Sequence, residues 1–246
     1  MRLREATVSG TPCSPVRDLI GRDDVTTAYA VQRVLTEERV AAGGVVVGRK
    51  IGLTSPAVQR QLGVDRPDFG VLFADMEVPD GGTVPTTRLL QPKVEAEVAF
   101  VLGRDLDGEG DVRDAVEYMV AALEIVDSRI AGWDISFGDT VADNASSGMF
   151  VLGRTRVPLS EVEPVDVRMT MWVDGSPVSE GTGAACLGDP LNSLAWLAAT
   201  ARDLGEPLRA GQVVLSGALG PMVAASSGAR VRTEITGLGA VEVVFS

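Results

Sequence analysis

The chain has 246 residues, 45% of them hydrophobic, and a net charge of −12 at neutral pH. This size suits one large domain, and the acidic charge argues against a nucleic-acid-binding surface, which needs a basic footprint. We expect a cytoplasmic protein, because there is no apolar run of about 18 residues to span a membrane and no signal-peptide pattern. Cys13 and Cys186 are far apart and form no metal or redox motif, which agrees with a reduced compartment.

The predicted elements mix helices and strands without regular alternation. Helix 189–205 is the clearest, because Asp189 can cap it, Pro190 can begin it and Gly205 can end it. Strands clustered around a few helices indicate a mixed α+β fold with a rolled sheet. In chain order we expect an irregular segment at 1–22, a helix from 23 or 24 to about 42, a strand at 45–53, a helix at 55–63, strands within 70–78 and 92–106, a helix from 111 to about 122, the helix at 189–205, and strands at 212–216, 230–236 and 240–245.

The composition also excludes several kinds of catalytic site. The chain contains no histidine, which removes Ser-His-Asp and Cys-His hydrolases and any histidine general base. Lysine occurs only at Lys50 and Lys93. A lysine can donate or accept a proton, whereas an arginine effectively cannot. An overall preference for arginine explains most of this bias.

A pair of glutamates in "QPKVEAEVAF" poses a physical question. Glu95 and Glu97 are two positions apart in a predicted strand, so both carboxylates point to one face and repel each other. Water would screen the two charges if this strand lies at an exposed edge of the sheet. Alternatively, a divalent cation bound between the carboxylates would neutralise them. Without histidine, such a site consists mainly of oxygen ligands, which favours Mg2+ or Mn2+. Glu124, in an apolar run, is a candidate third ligand, since an unpaired buried charge is costly.

Five motifs follow one another along the chain: "GRKIGLTSPAVQRQLGVDRPDFGVLFADM", "LQPKVEAEVAFVLGRDL", "ALEIVDSRI", "DTVADNASSG" and "LSGALGPMV". In this order they resemble bacterial 2-keto-4-pentenoate (2-hydroxypentadienoate) hydratases, members of the fumarylacetoacetate hydrolase superfamily. The resemblance runs from about residue 28 to the C-terminus, and it implies that Glu95, Glu97 and Glu124 are the metal ligands. It further implies a mixed β-roll, with a small helical N-terminal portion at 1–66 packed on a catalytic domain at 67–246.

The resemblance implies a reaction and two catalytic residues. Water would add to 2-hydroxypenta-2,4-dienoate to give 4-hydroxy-2-oxopentanoate, in the meta-cleavage catabolism of aromatic compounds. Lys50 matches the family's active-site lysine, to which we assign proton transfer and charge balance. Asp68 in "RPDFG" matches an acid that orients this lysine or relays a proton. By spacing alone, a turn residue after Pro67 is the favoured interpretation of Asp68.

The resemblance also implies residues that contact the substrate. Asn144 and Ser146 in "DTVADNASSG" would approach the site, although this stretch also reads as an ordinary polar loop. The turn "SGALGPM" would offer the backbone N–H groups of Gly217, Ala218 and Leu219 to the substrate carboxylate. Its apolar character favours a monocarboxylate. Lys93 shares the strand face of the glutamates, so it either balances local charge or supports the site.

Two other functions are compatible with these residues. A 4-oxalocrotonate decarboxylase of the same superfamily would use the same metal and the same stabilisation of an enolate. A noncatalytic metal-dependent binding or assembly subunit is the alternative from another class, and the presence of Lys50 with all three glutamates argues against it. The resemblance implies a homo-oligomer, which could associate with neighbouring enzymes of its pathway.

Overall fold

Two β-sheets form the body of the computed structural model, which describes residues 1–55, 59, 66–108 and 110–246. Its strands are β1 (Val46–Gly52), β2 (Asp68–Phe73), β3 (Thr83–Val84), β4 (Lys93–Leu102), β5 (Val116–Val126), β6 (Ser147–Leu152), β7 (Arg168–Val173), β8 (Ser176–Thr182), β9 (Val213–Ala218), β10 (Val223–Ala224), β11 (Arg230–Ile235) and β12 (Gly239–Phe245). The first sheet has the order β2-β1-β9-β4-β5-β6, with β10 beside β4, and the second has the order β3-β12-β11-β7-β8. Most neighbours are antiparallel, while β1 runs parallel to β9 and β3 parallel to β12.

The α-helices of the described residues are short or medium in length. They are α1 (Arg2–Ser9), α2 (Arg17–Ile20), α3 (Val25–Ala41), α4 (Phe137–Ala142) and α5 (Pro190–Asp203). Asp24 caps α3 by accepting from the Thr27 N–H, and Asp189 caps α5 by accepting from the Leu191 N–H. None of the described helices is both long enough and apolar enough to cross a membrane.

Alternate side chains of β4 belong to different hydrophobic clusters, one on each face of the first sheet. Val98 and Phe100 belong to the main core, together with Leu194 of α5 and Val243 of β12. Ala99, on the opposite face, packs in a second cluster with residues of β2, β5 and β9. Since side chains alternate along a strand, the odd-numbered glutamates of β4 share the face of Ala99 and point away from the main core. The fold therefore presents them on the inner face of a curled sheet.

The predicted α+β class with a rolled sheet is confirmed, as are the helices capped by Asp24 and Asp189. The helix predicted from 111 to about 122 is wrong. Asp111 caps only a single 3-10 turn, Val112–Ala115, and the chain then enters β5. Most of β5 is buried on both faces, so its sequence lacks the alternation that marks a half-exposed strand.

Other differences concern short elements. Residues 1–22 are not irregular throughout, because α1 and α2 lie within them. The strand predicted within 70–78 begins earlier, at Asp68, and ends at Phe73, before a 3-10 turn. The helix predicted at 55–63 falls almost entirely outside the described residues.

A buried carboxylate attaches the N-terminal segment to the sheet body. Asp139 of α4 accepts hydrogen bonds of 2.8 Å from the N–H groups of Val16 and Arg17, and of 2.8 Å from the N–H and hydroxyl of Ser136. The Arg17 guanidinium lies 3.1 Å from the same carboxylate. The division at residue 66 stays a prediction, although β1 on its N-terminal side pairs with both β2 and β9.

Replacing Asp139 with alanine should lower the free energy of unfolding by about 3 kcal/mol, because several buried donors lose a charged acceptor. The matched control is Asp18→Ala, which removes an exposed carboxylate paired with Arg2 and should leave stability almost unchanged. Urea unfolding of both variants measures the difference. Equal losses in the two variants would contradict the anchoring role of Asp139.

Candidate metal and substrate site

Three glutamates come together on the inner face of the first sheet. Glu95 and Glu97 lie on β4, and Glu124 on β5 stands directly opposite Glu95 in the strand register. One oxygen of each carboxylate lies within 4.8 Å of the others. Glu97 and Glu124 are completely buried. The structure thus groups the three residues that the sequence predicts as metal ligands.

The oxygens of this cluster are poorly satisfied by the protein itself. Oε2 of Glu97 accepts a 2.7 Å hydrogen bond from the Gly217 N–H. Oε1 of Glu97 and Oε2 of Glu124 have no hydrogen-bond partner among the described residues. A buried carboxylate oxygen without a partner is costly, whereas a hard divalent cation collects such oxygens. The donor set, all oxygen, fits Mg2+ or Mn2+.

Burial changes the acidity of all three glutamates. Burial and the charge of Glu124 raise the pKa of Glu95 to about 7. Burial likewise raises the pKa of Glu97 well above its ordinary value, with the charges of Glu124 and Glu95 adding to it, and burial raises the pKa of Glu124. Positive charge close to the cluster is therefore needed to favour the ionised form of these carboxylates.

Lys50 supplies part of that charge. Its Nζ lies 3.0 Å from Oε1 of Glu124 and donates a 2.9 Å hydrogen bond to the carbonyl of Ala145. Burial acts to lower the pKa of Lys50, but the charges of Glu124 and Asp68 outweigh it, so the pKa lies above that of an ordinary lysine. The ammonium is therefore held in its charged form beside Glu124 and Asp68.

Asp68 belongs to the same buried group. It is the first residue of β2, opposite Gly52 of β1, and not the turn residue that its spacing after Pro67 allows. Thr140 donates a 3.3 Å hydrogen bond to Oδ2, and Oδ1 has no partner among the described residues. Burial raises the pKa of Asp68, although Lys50 opposes the shift. A Cβ at Gly52 would lie 2.3 Å from Oδ1, so glycine gives this carboxylate its space.

Lys50, Asp68 and Glu95 line a cavity of about 200 Å³. Both polar and apolar side chains line it, as is typical of sites for small organic ligands. The polar lining comes from Lys50, Thr54, Ser55, Asp68, Lys93, Glu95, Thr140 and Ser146, and the larger apolar side chains are Ile51, Leu53, Val126, Trp133, Ile135 and Met222.

The predicted substrate contacts are placed unevenly around this cavity. Ser146 and Ala218 line it. The N–H of Gly217 is used by Glu97, and Leu219 is fully buried, with its N–H donating to the carbonyl of Ala96. For Gly217 and Leu219 the role of offering a backbone N–H to the substrate stays a prediction that these bonds do not favour.

Asn144 does not line this cavity but bonds to the neighbouring strand β2. Its side chain accepts from the Val71 N–H at 2.7 Å and donates to the Val71 carbonyl at 2.9 Å. It lines a different cavity, of about 360 Å³, beside α1 and α3. Asn144, Ala145 and Ser146 all have positive φ, and this turn directs the carbonyl of Ala145 at Lys50. Substrate contact by Asn144 stays a prediction, and the contact that the structure gives it is with the backbone of β2.

Some cavity residues carry no signal in the sequence. Thr140, which donates to Asp68, lies within α4, a helix that was not predicted. Trp133 and Ile135 come from the segment before α4, for which the sequence predicts no element. For Lys93 the sequence does indicate a place near the site, because Lys93 shares a strand face with the glutamates.

Comparisons with known proteins agree with this geometry. Residues 46–246 match the family model "Fumarylacetoacetate (FAA) hydrolase C-terminal". The chain is 55% identical over 249 residues to a 2-keto-4-pentenoate hydratase of Burkholderia vietnamiensis, covering 100% of this chain and 95% of the relative. It is 41% identical over 251 residues to a 2-hydroxyhexa-2,4-dienoate hydratase of Comamonas testosteroni, with coverage of 100% and 95%.

A solved structure resembles the whole chain. The 4-oxalocrotonate decarboxylase from Pseudomonas putida, complexed with magnesium and adipate, superposes with a TM-score of 0.95 at 34% sequence identity. The match covers 99% of this chain and 94% of that one. With the full-length hydratase relatives, these findings place the sequence in a family: the chain belongs to the fumarylacetoacetate hydrolase family and, within it, to the 2-keto-4-pentenoate hydratases.

Proposed function

We propose that this protein is a metal-dependent hydratase that converts 2-hydroxypenta-2,4-dienoate and water to 4-hydroxy-2-oxopentanoate. The observation that carries the proposal is the grouping of Glu95, Glu97 and Glu124 beside Lys50 in a chain 55% identical to a 2-keto-4-pentenoate hydratase. The reaction belongs to the meta-cleavage catabolism of aromatic compounds.

Glu95, Glu97 and Glu124 would hold the metal, for which Mg2+ or Mn2+ fits the all-oxygen donor set. When bound, the cation would act as a Lewis acid that stabilises negative charge on the C2 oxygen of the substrate. The protein's own contribution is to hold three carboxylates together, two of them fully buried, in an arrangement that they would not adopt unaided.

Proton transfer is the proposed role of Lys50 and Asp68. Conversion of the dienol to the 2-oxo form takes a proton from the 2-hydroxyl group and places one on a terminal carbon. Water then adds at C4, and a proton enters at C3. The Lys50 ammonium, kept charged by Glu124, is the donor, and Asp68 orients Lys50 or passes a proton to or from water.

The cavity wall favours a small monocarboxylate. Leu53, Val126, Ile135 and Met222 give the cavity much of its apolar surface. A short vinyl or methyl-substituted end of a dienoate fits such a surface without an unpaired charge. The superposed decarboxylase structure keeps 4-oxalocrotonate as the second candidate substrate.

The proposal includes a cellular setting. We infer a homo-oligomer that acts in the cytoplasm on a small 2-oxo or 2-hydroxy dienoate and that associates with neighbouring enzymes of its pathway. The acidic net charge of −12 fits the expectation that neither nucleic acid nor a membrane surface is a partner.

Turnover is tested by following the diene absorbance of freshly generated 2-hydroxypenta-2,4-dienoate with Mg2+ or Mn2+. Loss of absorbance and formation of 4-hydroxy-2-oxopentanoate are expected, and Glu97→Gln should reduce the rate at least about 100-fold by removing a metal ligand. Glu117→Gln, an exposed glutamate of β5, is the matched control and should retain full activity. Release of carbon dioxide from 4-oxalocrotonate without hydration would instead identify a decarboxylase.

Lys50→Arg and Lys50→Met separate charge from proton transfer. Arginine keeps a positive charge but cannot transfer a proton near neutral pH, so both variants should lose activity by about 100- to 10,000-fold. Rates under saturating metal and substrate provide the measurement, with Arg232→Lys as a control remote from the cavity. Near-normal activity of Lys50→Arg would leave Lys50 only a charge-balancing role.

The raised pKa of Glu95 predicts an unusual pH dependence of stability. Its folded-state pKa, about 7, exceeds the ordinary value of 4.5, so its contribution is complete below the ordinary value and is lost as pH rises through about 7. The metal-free protein should therefore become less stable as the pH rises from about 4.5 to about 7. Added Mg2+ should raise the unfolding temperature most at the upper end, where the ligands are ionised.

Thermal unfolding with and without Mg2+ measures this effect. Glu97→Gln is the informative variant, because it should show a weaker pH dependence and a much smaller response to Mg2+. A wild-type protein whose metal-free stability rises steadily across the same pH range would contradict the raised pKa.

A further inference from the structure

Both lysines of the chain line the same cavity. Lys50 is engaged by Glu124 and Ala145, as described above. The Nζ of Lys93 lies 4.3 Å from the ring centroid of Trp133. Among the described residues, the Lys93 ammonium has neither an ion pair nor a hydrogen bond, so its donors can serve a ligand.

Hydrogen bonds of Gln91 hold Trp133, the aromatic partner of Lys93, in place. Trp133 has a φ of 57°, a left-handed backbone that costs a bulky residue free energy and needs support from its surroundings. Gln91 provides that support. The side-chain amide of Gln91 donates to the carbonyls of Ser128 and Ile130 and accepts from the Gly132 N–H. The backbone carbonyl of Gln91 accepts from the Trp133 indole N–H at 3.0 Å.

The backbone at Lys93 is equally well fixed. Lys93 begins β4, where it pairs with Val126 of β5 on one side and with Ala224 of β10 on the other. Asp127 accepts hydrogen bonds from the N–H groups of Leu90 and Gln91 just before the strand. The ammonium is therefore presented from a rigid strand against a rigid ring, which is how a ligand-binding group is pre-organised.

The charge balance of the site calls for a second cation. When ionised, the carboxylates of Asp68, Glu95, Glu97 and Glu124 outnumber the single ammonium of Lys50, and a divalent cation would still leave one negative charge. An anionic substrate adds at least one more. Lys93 is the only additional positive side chain among the described residues that line the cavity, and it stands on the same strand face as the glutamates.

We propose that Lys93, held over Trp133, binds the carboxylate of the substrate. A charge-assisted hydrogen bond from Nζ would orient the 2-oxo acid with its carboxylate towards the start of β4. The chemical class of the ligand, a 2-oxo acid, rests on the proposed function, but the binding role of Lys93 does not depend on turnover.

The test is the affinity of the Mn2+-loaded protein for 2-oxopentanoate, a saturated acid that cannot be hydrated, measured by titration calorimetry. Lys93→Met should weaken binding by about 10- to 100-fold, whereas Lys93→Arg should stay within about threefold of the wild type because it keeps the charge over the ring. The matched control, Arg232→Met, removes another cation that lies 5.3 Å from a tryptophan ring, that of Trp172, and should change nothing.

A separate titration with Mn2+ alone distinguishes ligand binding from damage to the metal site. Lys93→Met should bind Mn2+ at least as tightly as the wild type, since a repelling charge is removed. The proposal is overturned if Lys93→Met binds 2-oxopentanoate normally, if Lys93→Arg loses as much affinity as Lys93→Met, if Lys93→Met loses Mn2+, or if the wild type binds no 2-oxopentanoate. Lys93-dependent binding without any turnover of the dienoate would contradict the hydratase proposal and leave this one intact.

Discussion

The structure depends on keeping several carboxylates buried beside one buried lysine. Glu97 and Glu124 are fully buried, and their pKa values are raised by burial. Apolar residues of similar size in these positions would often give a more stable sheet. Strongly perturbed acids gathered in a cleft are typical of functional sites. The stability lost here is explained if a cation and an anionic substrate complete the charge balance.

Neighbouring backbone is adapted to that cluster. Three successive residues, Asn144 to Ser146, have φ values between 51° and 55°, a conformation that costs non-glycine residues of order 1 kcal/mol each or more. The Asn144 amide bonds the turn to Val71, and Lys50 bonds its carbonyl at Ala145. Gly70 allows the close approach, because a Cβ there would lie 2.3 Å from the Asn144 carbonyl. The strained turn and the buried lysine therefore stabilise each other.

The sequence alone predicted what depends on local spacing. The shared face of Glu95 and Glu97 follows from strand periodicity, and Glu124 was indicated by its place in an apolar run. The resemblance assigned the catalytic roles of Lys50 and Asp68. Roles that depend on pairing between distant segments were not predictable: which group uses the Gly217 N–H is decided by the register of β9 on β4. Strand β5 was read as a helix because its burial on both faces removes the polar–apolar alternation.

The metal cluster alone does not separate a hydratase from a decarboxylase, since the superposed decarboxylase shares the fold at a TM-score of 0.95. Discrimination between their substrates must come from the cavity walls. A dicarboxylate would place its second charge against apolar side chains such as Leu53, Ile135 and Met222, where an unpaired carboxylate is strongly disfavoured. If Lys93 holds the first carboxylate, Lys50 is the only other cation among the described lining residues, and it is already paired with Glu124. Specificity for a monocarboxylate would then arise by rejection of the extra charge.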